Sequence, residues 1–191
     1  MNIKEKYDYH CSRKSDINQL LPYLNVYANR CEHITEMGVR YFVSTYAFLN
    51  STAKKVVGID IEKQLEQYSE CVYLCERSEK DFEYIISDTL KVDIEETEFL
   101  FIDTWHEYGQ LKAELERHSD KVRKYIGFHD TTTYARIGET QYYNVKASGG
   151  FSKSNKGLMD AIEEFLIDNK DWKIEFKTDI NNGLLILKRV L

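Results

Sequence analysis

The order of apolar runs and amphipathic stretches predicts an α/β fold: a mostly parallel seven-stranded sheet with helices on both faces and a C-terminal antiparallel hairpin. Three observations carry this. Five short apolar runs alternate with segments of helical period. Each run ends at or beside an acid, namely Glu36, Asp60, Asp88, Asp103 and Asp130. Two further β-rich runs are separated by Asn181-Asn182-Gly183, residues that tolerate the positive φ of a tight hairpin.

Asp16 to Arg30 repeats Leu20, Leu21, Leu24, Tyr27 and Ala28 on one helical face, with Pro22 suited to a first turn where a missing N–H costs nothing. His33 to Glu36 is a buried strand stopped by Gly38, and Ser44-Thr45 offers N-cap oxygens to the next helix. Lys55 to Asp60 is the second strand. Glu62 to about Glu76 follows as a helix with an expected apolar face of Leu65, Tyr68, Val72 and Cys75. Phe82 to Ile86 and Phe99 to Asp103 are strands three and four. Glu107 to Arg123 reads as one helix on Tyr108, Leu111, Leu115 and Val122, and Tyr125 to Phe128 as the fifth strand. Residues 131–156, with glycines at 138, 149 and 150, read as an irregular, mobile substrate loop. Leu158 to Asn169 is a helix, and Trp172 to Thr178 and Leu184 to Val190 are the hairpin strands.

The chain has 191 residues, 42% hydrophobic and 30% charged, with one proline and nine glycines. That suits a single domain over residues 1–191, with residues 1–31 as a helical extension, and excludes collagen-like or disordered chains. Lys plus Arg is 26 against 32 for Asp plus Glu, a net charge of −6 without a dense basic cluster, so no nucleic-acid partner is expected. No apolar run reaches membrane-spanning length. Cys11, Cys31, Cys71 and Cys75 match no zinc spacing, and with no secretory signal they are expected as reduced thiols in the cytosol.

The run Glu36-Met37-Gly38-Val39-Arg40 with Ser44-Thr45, then Val57-Gly58-Ile59-Asp60, then Phe99-Leu100-Phe101-Ile102-Asp103 with Trp105-His106, and finally Ile126-Gly127-Phe128-His129-Asp130-Thr131, resembles class I S-adenosylmethionine-dependent methyltransferases. More narrowly it is similar to the branch of cephalosporin-hydroxylase-like proteins and small glycan O-methyltransferases. The resemblance implies a Rossmann-like methyltransferase fold and a cofactor site at the strand exits. Gly38 would pass under the cofactor's methionine part, with Arg40 beside it, and Glu36 would order the loop and the ammonium end. Ser44 and Thr45 would hold the carboxylate. Asp60, followed by Ile61, would take the ribose hydroxyls, Ser87 and Asp88 would meet the adenine, and Asp103 would also line the cofactor site. Arg40 and Phe42 stand where many relatives keep glycine.

For a hydroxyl acceptor, methyl transfer needs in-line geometry and a destination for the proton. His106, unperturbed near pKa ~6.5, suits a base, with Asp103 beside it; a helix-capping or surface role suits His106 equally well. Asp103 and Asp130 could share a divalent ion such as Mg²⁺ with Thr131 or water. In catechol-type relatives comparable positions carry two carboxylates and an amide, so Thr131 makes the ion optional. His129 fits a structural role better than a catalytic one. Tyr134, Tyr142, Tyr143 and Phe151 could stack on a sugar or fold the loop onto the body.

The expected activity is O-methylation of a sugar or other small molecule. A phosphoacceptor signalling domain shares the strand-exit acids but has no use for the terminal hairpin. A nicotinamide oxidoreductase lacks its Gly-x-Gly-x-x-Gly at Gly38. A non-catalytic cofactor binder stays open, as does a homodimer through the outer strands or the first helix.

Overall fold

The computed structural model describes residues 1–143 and 154–190. Helices α1 (Ile3–Ser12) and α2 (Leu21–Ala28) precede β1 (His33–Met37), α3 (Thr45–Leu49), β2 (Lys55–Asp60), α4 (Leu65–Glu76), β3 (Asp81–Ile86) and β4 (Thr97–Ile102). Then come α5 (Tyr108–His118), β5 (Val122–His129), α6 (Glu139–Tyr142), α7 (Leu158–Asp168), β6 (Trp172–Thr178) and β7 (Leu184–Arg189). The seven strands form one sheet in the order β3-β2-β1-β4-β5-β7-β6, with β7 antiparallel to both neighbours and the remaining pairings parallel.

Strand side chains alternate between faces, and the core divides accordingly. Ile34, Val56, Phe99 and Phe101 face α1 to α4, whereas Val57, Leu100, Ile102 and Phe128 face α5 and α7. Strands covered on both faces have no polar side, which is why they read as continuous apolar runs. Chain order reverses between β1, which continues to β2, and β4, which continues to β5; such a switch point opens a crevice at the carboxyl ends of the strands.

Several boundaries differ from the expectation. The first predicted helix begins only at Leu21: Pro22 lies in its first turn, and a helix running through Pro22 would lack one N–H and clash one turn back. Helix α1, within residues 1–31, has Ile3 as its single buried residue, and a capping box between Asn2 and Glu5 starts it. The buried stripe of α4 is Cys71, Leu74 and Cys75, while Leu65 is exposed, because the helix starts at Leu65 rather than at Glu62. Val122 belongs to β5, paired with Thr97, so α5 stops at His118. The expected loop over 131–156 holds a short helix, α6, in its described part; Gly149, Gly150 and Phe151 lie outside the described residues. Among the described residues no helix is long and apolar enough to cross a membrane.

Candidate active site

A cleft of about 510 Å³ opens at the β1–β4 switch point. Its wall includes Gly38, Arg40, Asp60, Ile61, Ser87, Asp88 and Asp103, so seven of the residues named above for cofactor binding meet in one place. A volume of roughly 300–1,000 Å³ is usual for a small-molecule site.

Gly38 forms the floor. Its φ is +83°, its N–H donates to the Ile59 carbonyl at 2.9 Å, and an added Cβ would stand 2.0 Å from the Asp103 carbonyl oxygen. Asp60 closes the next turn: one carboxylate oxygen accepts from the Val39 and Arg40 amides at 2.9 and 2.7 Å, and the other from Glu62 at 2.8 Å. These bonds fix the carboxylate at the cleft wall with lone pairs to spare.

Arg40 and Phe42 have φ of 46° and 63°. The turn therefore keeps the left-handed conformation that glycine adopts freely, at a cost of about 1–2 kcal/mol per non-glycine residue. Phe42 recovers this by burial against Phe82 and Tyr84, whereas Arg40 is exposed, its guanidinium resting over the Tyr41 ring. Arg40→Gly is expected to raise stability by about 1 kcal/mol, ~2–4 °C in the thermal midpoint. A lowered midpoint would mean that the side chain's contacts outweigh the backbone strain.

Glu36, Ser44 and Thr45 lie behind this turn and outside the cleft lining. Glu36 points to the α3 side of the sheet and is fully buried. The Ser44 hydroxyl donates to one of its oxygens and the Thr45 hydroxyl to the other, at 2.6 Å. Both hydroxyls are thus spent on Glu36, and Ser44 makes no side-chain cap to α3. Burial pushes the Glu36 carboxyl up to about 8, although the two hydroxyls pull it down.

At the β4 and β5 exits, carboxylates and imidazoles interleave. His106 Nε2 lies 2.9 Å from Asp130 Oδ2 and 3.3 Å from Asp103 Oδ1, and its Nδ1 lies 2.9 Å from Glu139 Oε2. The ring stacks on Tyr134 at 4.7 Å. His129 directs Nδ1 at Asp103 and Asp130, and Nε2 at the carbonyls of Asn181 (2.9 Å) and Asp16 (3.2 Å). Burial opposes charge on both rings, yet hydrogen bonds and attraction to the surrounding carboxylates hold both well above the ordinary histidine value. Asp103 and Asp130 are held low by the two histidines against the effect of burial. The surrounding carboxylates thus favour the protonated ring of His106, which is not the unperturbed base that its residue type suggested. Asp103, His129 and Asp130 each present a donor atom within 4.8 Å of the others. Asp130 Oδ1 and Thr131 Oγ1 are buried without a hydrogen-bond partner. Two carboxylates, one with an unsatisfied oxygen, and the Thr131 hydroxyl are donors that fit a divalent cation, and His129 would join them only as a neutral imidazole.

Sequence reasoning missed two parts of this end. Glu139 partners His106 across 33 positions, and no local pattern signals it. Glu114 is fully buried and accepts from the Thr89 and Thr104 hydroxyls and the Gln110 amide at 2.6, 2.9 and 2.8 Å. Burial pushes it up to about 7 against those three donors. Its signal was available: a carboxylate on the same helical stripe as Leu111, Leu115 and His118.

No protein-family model matches the chain, and no curated protein sequence does. Solved structures match it along nearly its whole length. A Corynebacterium glutamicum protein aligns with 99% of this chain and 89% of its own, at a TM-score of 0.67 and 12% identity. A Podospora anserina methyltransferase bound to S-adenosylhomocysteine aligns over 98% and 87%, at 0.60 and 11%. A Staphylococcus aureus protein assigned as a caffeoyl-CoA O-methyltransferase aligns over 98% of both chains, at 0.61 and 18%.

The chain has the class I methyltransferase fold. In a methyltransferase fold the inserted antiparallel strand is β7, which is where the Asn181-Asn182-Gly183 turn delivers it, between β5 and β6. Asp88, named for the adenine, stands in the cleft wall with one oxygen on the Leu90 amide at 2.9 Å and the other paired to Lys91 at 3.2 Å. Ser87 adjoins it, and the exposed Ile61 side chain forms the rim.

Proposed function

We propose that the chain is an S-adenosylmethionine-dependent methyltransferase acting on a hydroxyl of a sugar or other small molecule. One observation carries the reading: the cleft at the switch point joins a glycine floor, a strand-exit carboxylate suited to a ribose diol, and a further wall at β3. The S-adenosylhomocysteine bound in the Podospora relative supports it. By its motifs we place the chain nearest the cephalosporin-hydroxylase-like and glycan O-methyltransferase branch.

Gly38 lets the backbone approach the methionine part, and Asp60 binds the ribose hydroxyls. Asp103 stands at the inner end, beside the histidine cluster, where the acceptor meets the methyl group. With the cofactor bound, the acceptor oxygen would form a bond to the methyl carbon as the sulfur–carbon bond breaks to give S-adenosylhomocysteine, and the hydroxyl proton would pass to water. Tyr134, Tyr142 and Tyr143, with the latter two half-exposed, offer ring faces for a sugar beside His106 and Glu139. A divalent ion held by Asp103 and Asp130, with His129 alongside, would supply positive charge that eases ionisation of a hydroxyl. The three carboxylates around His106, which favour its protonated form, support a second reading, methylation of a neutral nitrogen, which needs no base during transfer.

The test is calorimetric titration with S-adenosylmethionine and S-adenosylhomocysteine, with and without Mg²⁺, on the wild type and Asp60→Ala. Micromolar binding, about −8 kcal/mol, weakened at least ~30-fold by Asp60→Ala, is the expected result. Absence of binding to either compound would overturn the reading. Enhancement by Mg²⁺ would assign the ion to Asp103 and Asp130.

A further inference from the structure

At the β3 end of the cleft the wall is made by Ser87, Asp88, Thr89 and Leu90, with Gln110 of α5 against Thr89. Gln110 is 8% exposed. Its amide nitrogen donates to Glu114 Oε1 at 2.8 Å and to Thr89 Oγ1 at 3.1 Å, so both amide hydrogens are used. The Thr89 hydroxyl spends its own hydrogen on Glu114 Oε1 at 2.6 Å, and the Thr104 hydroxyl donates to Glu114 Oε2 at 2.9 Å. An ionised carboxylate only accepts, so it sets the direction of every bond in this network. Rotating the Gln110 amide by half a turn would place its oxygen against the Glu114 carboxylate and against a hydroxyl with no hydrogen left to give. The amide orientation is thereby locked, and the Gln110 oxygen remains the acceptor at the cleft wall.

Asp88 is differently placed. One of its oxygens accepts from the Leu90 amide and the other pairs with Lys91, so it caps its own turn and is held by an exposed lysine rather than by a buried network. Gly38, Asp60, Asp88 and Gln110 line the same cleft, and the oxygen of Gln110 is the amide atom that the bonds to Glu114 and Thr89 do not use.

We propose that Gln110 is the specificity-determining residue for the nucleoside base, accepting from the 6-amino group of adenine, and that Glu114 is the residue positioning it; the assignment rests on the cofactor reading above. A purine with a 6-oxo group would set oxygen against oxygen and is rejected. A site built around one hydrogen bond discriminates through the buried group left unpaired when the wrong ligand enters.

The experiment compares S-adenosylhomocysteine with S-inosylhomocysteine by calorimetry at pH 8, where Glu114 is ionised, on the wild type, Gln110→Met and Glu114→Gln. The wild type is expected to prefer the adenine compound by about tenfold or more. Gln110→Met, which keeps the side-chain length, is expected to bring the ratio within ~3-fold of unity. Glu114→Gln is expected to lower the ratio while circular dichroism shows a retained fold, which a purely structural loss would not do. A wild-type ratio near unity, or a ratio unchanged in Gln110→Met, overturns the assignment while leaving the cofactor reading intact. Loss of discrimination in Asp88→Ala with retention in Gln110→Met gives the role to Asp88 and likewise overturns it. No binding of S-adenosylhomocysteine by the wild type overturns the cofactor reading and this assignment together.

Discussion

Gly38→Ala is expected to abolish measurable cofactor binding and to lower stability by about 3 kcal/mol or more, ~6–12 °C in the thermal midpoint. Two costs add. The residue sits at φ +83°, where an alanine pays for the left-handed conformation. The new methyl would also stand 2.0 Å from the Asp103 carbonyl oxygen and 2.5 Å from its carbon, which are backbone atoms with no rotamer to escape into. Relief requires β1 and β4 to part at their exits. There the Asp103 amide donates to the Met37 carbonyl at 2.8 Å and the Gly38 amide to Ile59 at 2.9 Å. Parting them spoils the floor of the cleft and moves Asp103 away from His106 and His129. Thermal denaturation and titration with S-adenosylhomocysteine read the two effects separately. An alanine variant with the wild-type midpoint would mean that the two strand exits separate at little cost.

Stability is expected to fall as pH rises from 5.5 to 8.5, and Glu36→Gln is expected to flatten that fall. In the unfolded chain the Glu36 carboxyl ionises near 4.5, whereas burial in the fold keeps it protonated up to about 8. Between those values the native state holds a proton that the unfolded state has released. Stability is then greatest below the lower value and declines toward the upper one. The size is on the order of a few kcal/mol, about 5–10 °C in the midpoint. A glutamine still accepts from one of Ser44 and Thr45 and carries no ionisable proton. The difference between the two pH curves therefore isolates Glu36 from Glu114 and from the histidine cluster, which are common to both proteins. Parallel curves would show that Glu36 is already ionised within the fold.

The central strands were legible because they are buried on both faces, as Val56 to Ile59 and Phe99 to Ile102 are. Asn181, Asn182 and Gly183 stand at φ of 43°, 68° and 102°, the conformation their types announce. Acids at strand exits located the cleft, since an acid directly after an apolar run needs a partner or solvent. The partners themselves were not legible. Ser44 and Thr45 look like a helix cap locally and become donors to Glu36 only when α3 packs on β1. The protonation of His106 is decided by Asp130 and Glu139, which arrive from later in the chain. The bounds of helix α1 were not legible, because a mostly polar helix with one buried residue carries no apolar stripe; its Lys6 pairs with Glu70 of α4 instead.

The turn between β6 and β7 works as a clasp. Asn181 accepts the Gln19 amide at 2.7 Å and donates to the Ser15 carbonyl at 3.3 Å, while the Asn182 carbonyl accepts from Thr132 and Thr133 at 2.8 and 3.1 Å. The Asn181 and Asp16 carbonyls grip the same His129 nitrogen. Residues near 16, 129 and 181 must therefore meet for His129 to be seated. Loosening the turn would unseat that ring while leaving the parallel strands paired, so the hairpin acts at a distance on the orientation of a side chain at the β5 exit.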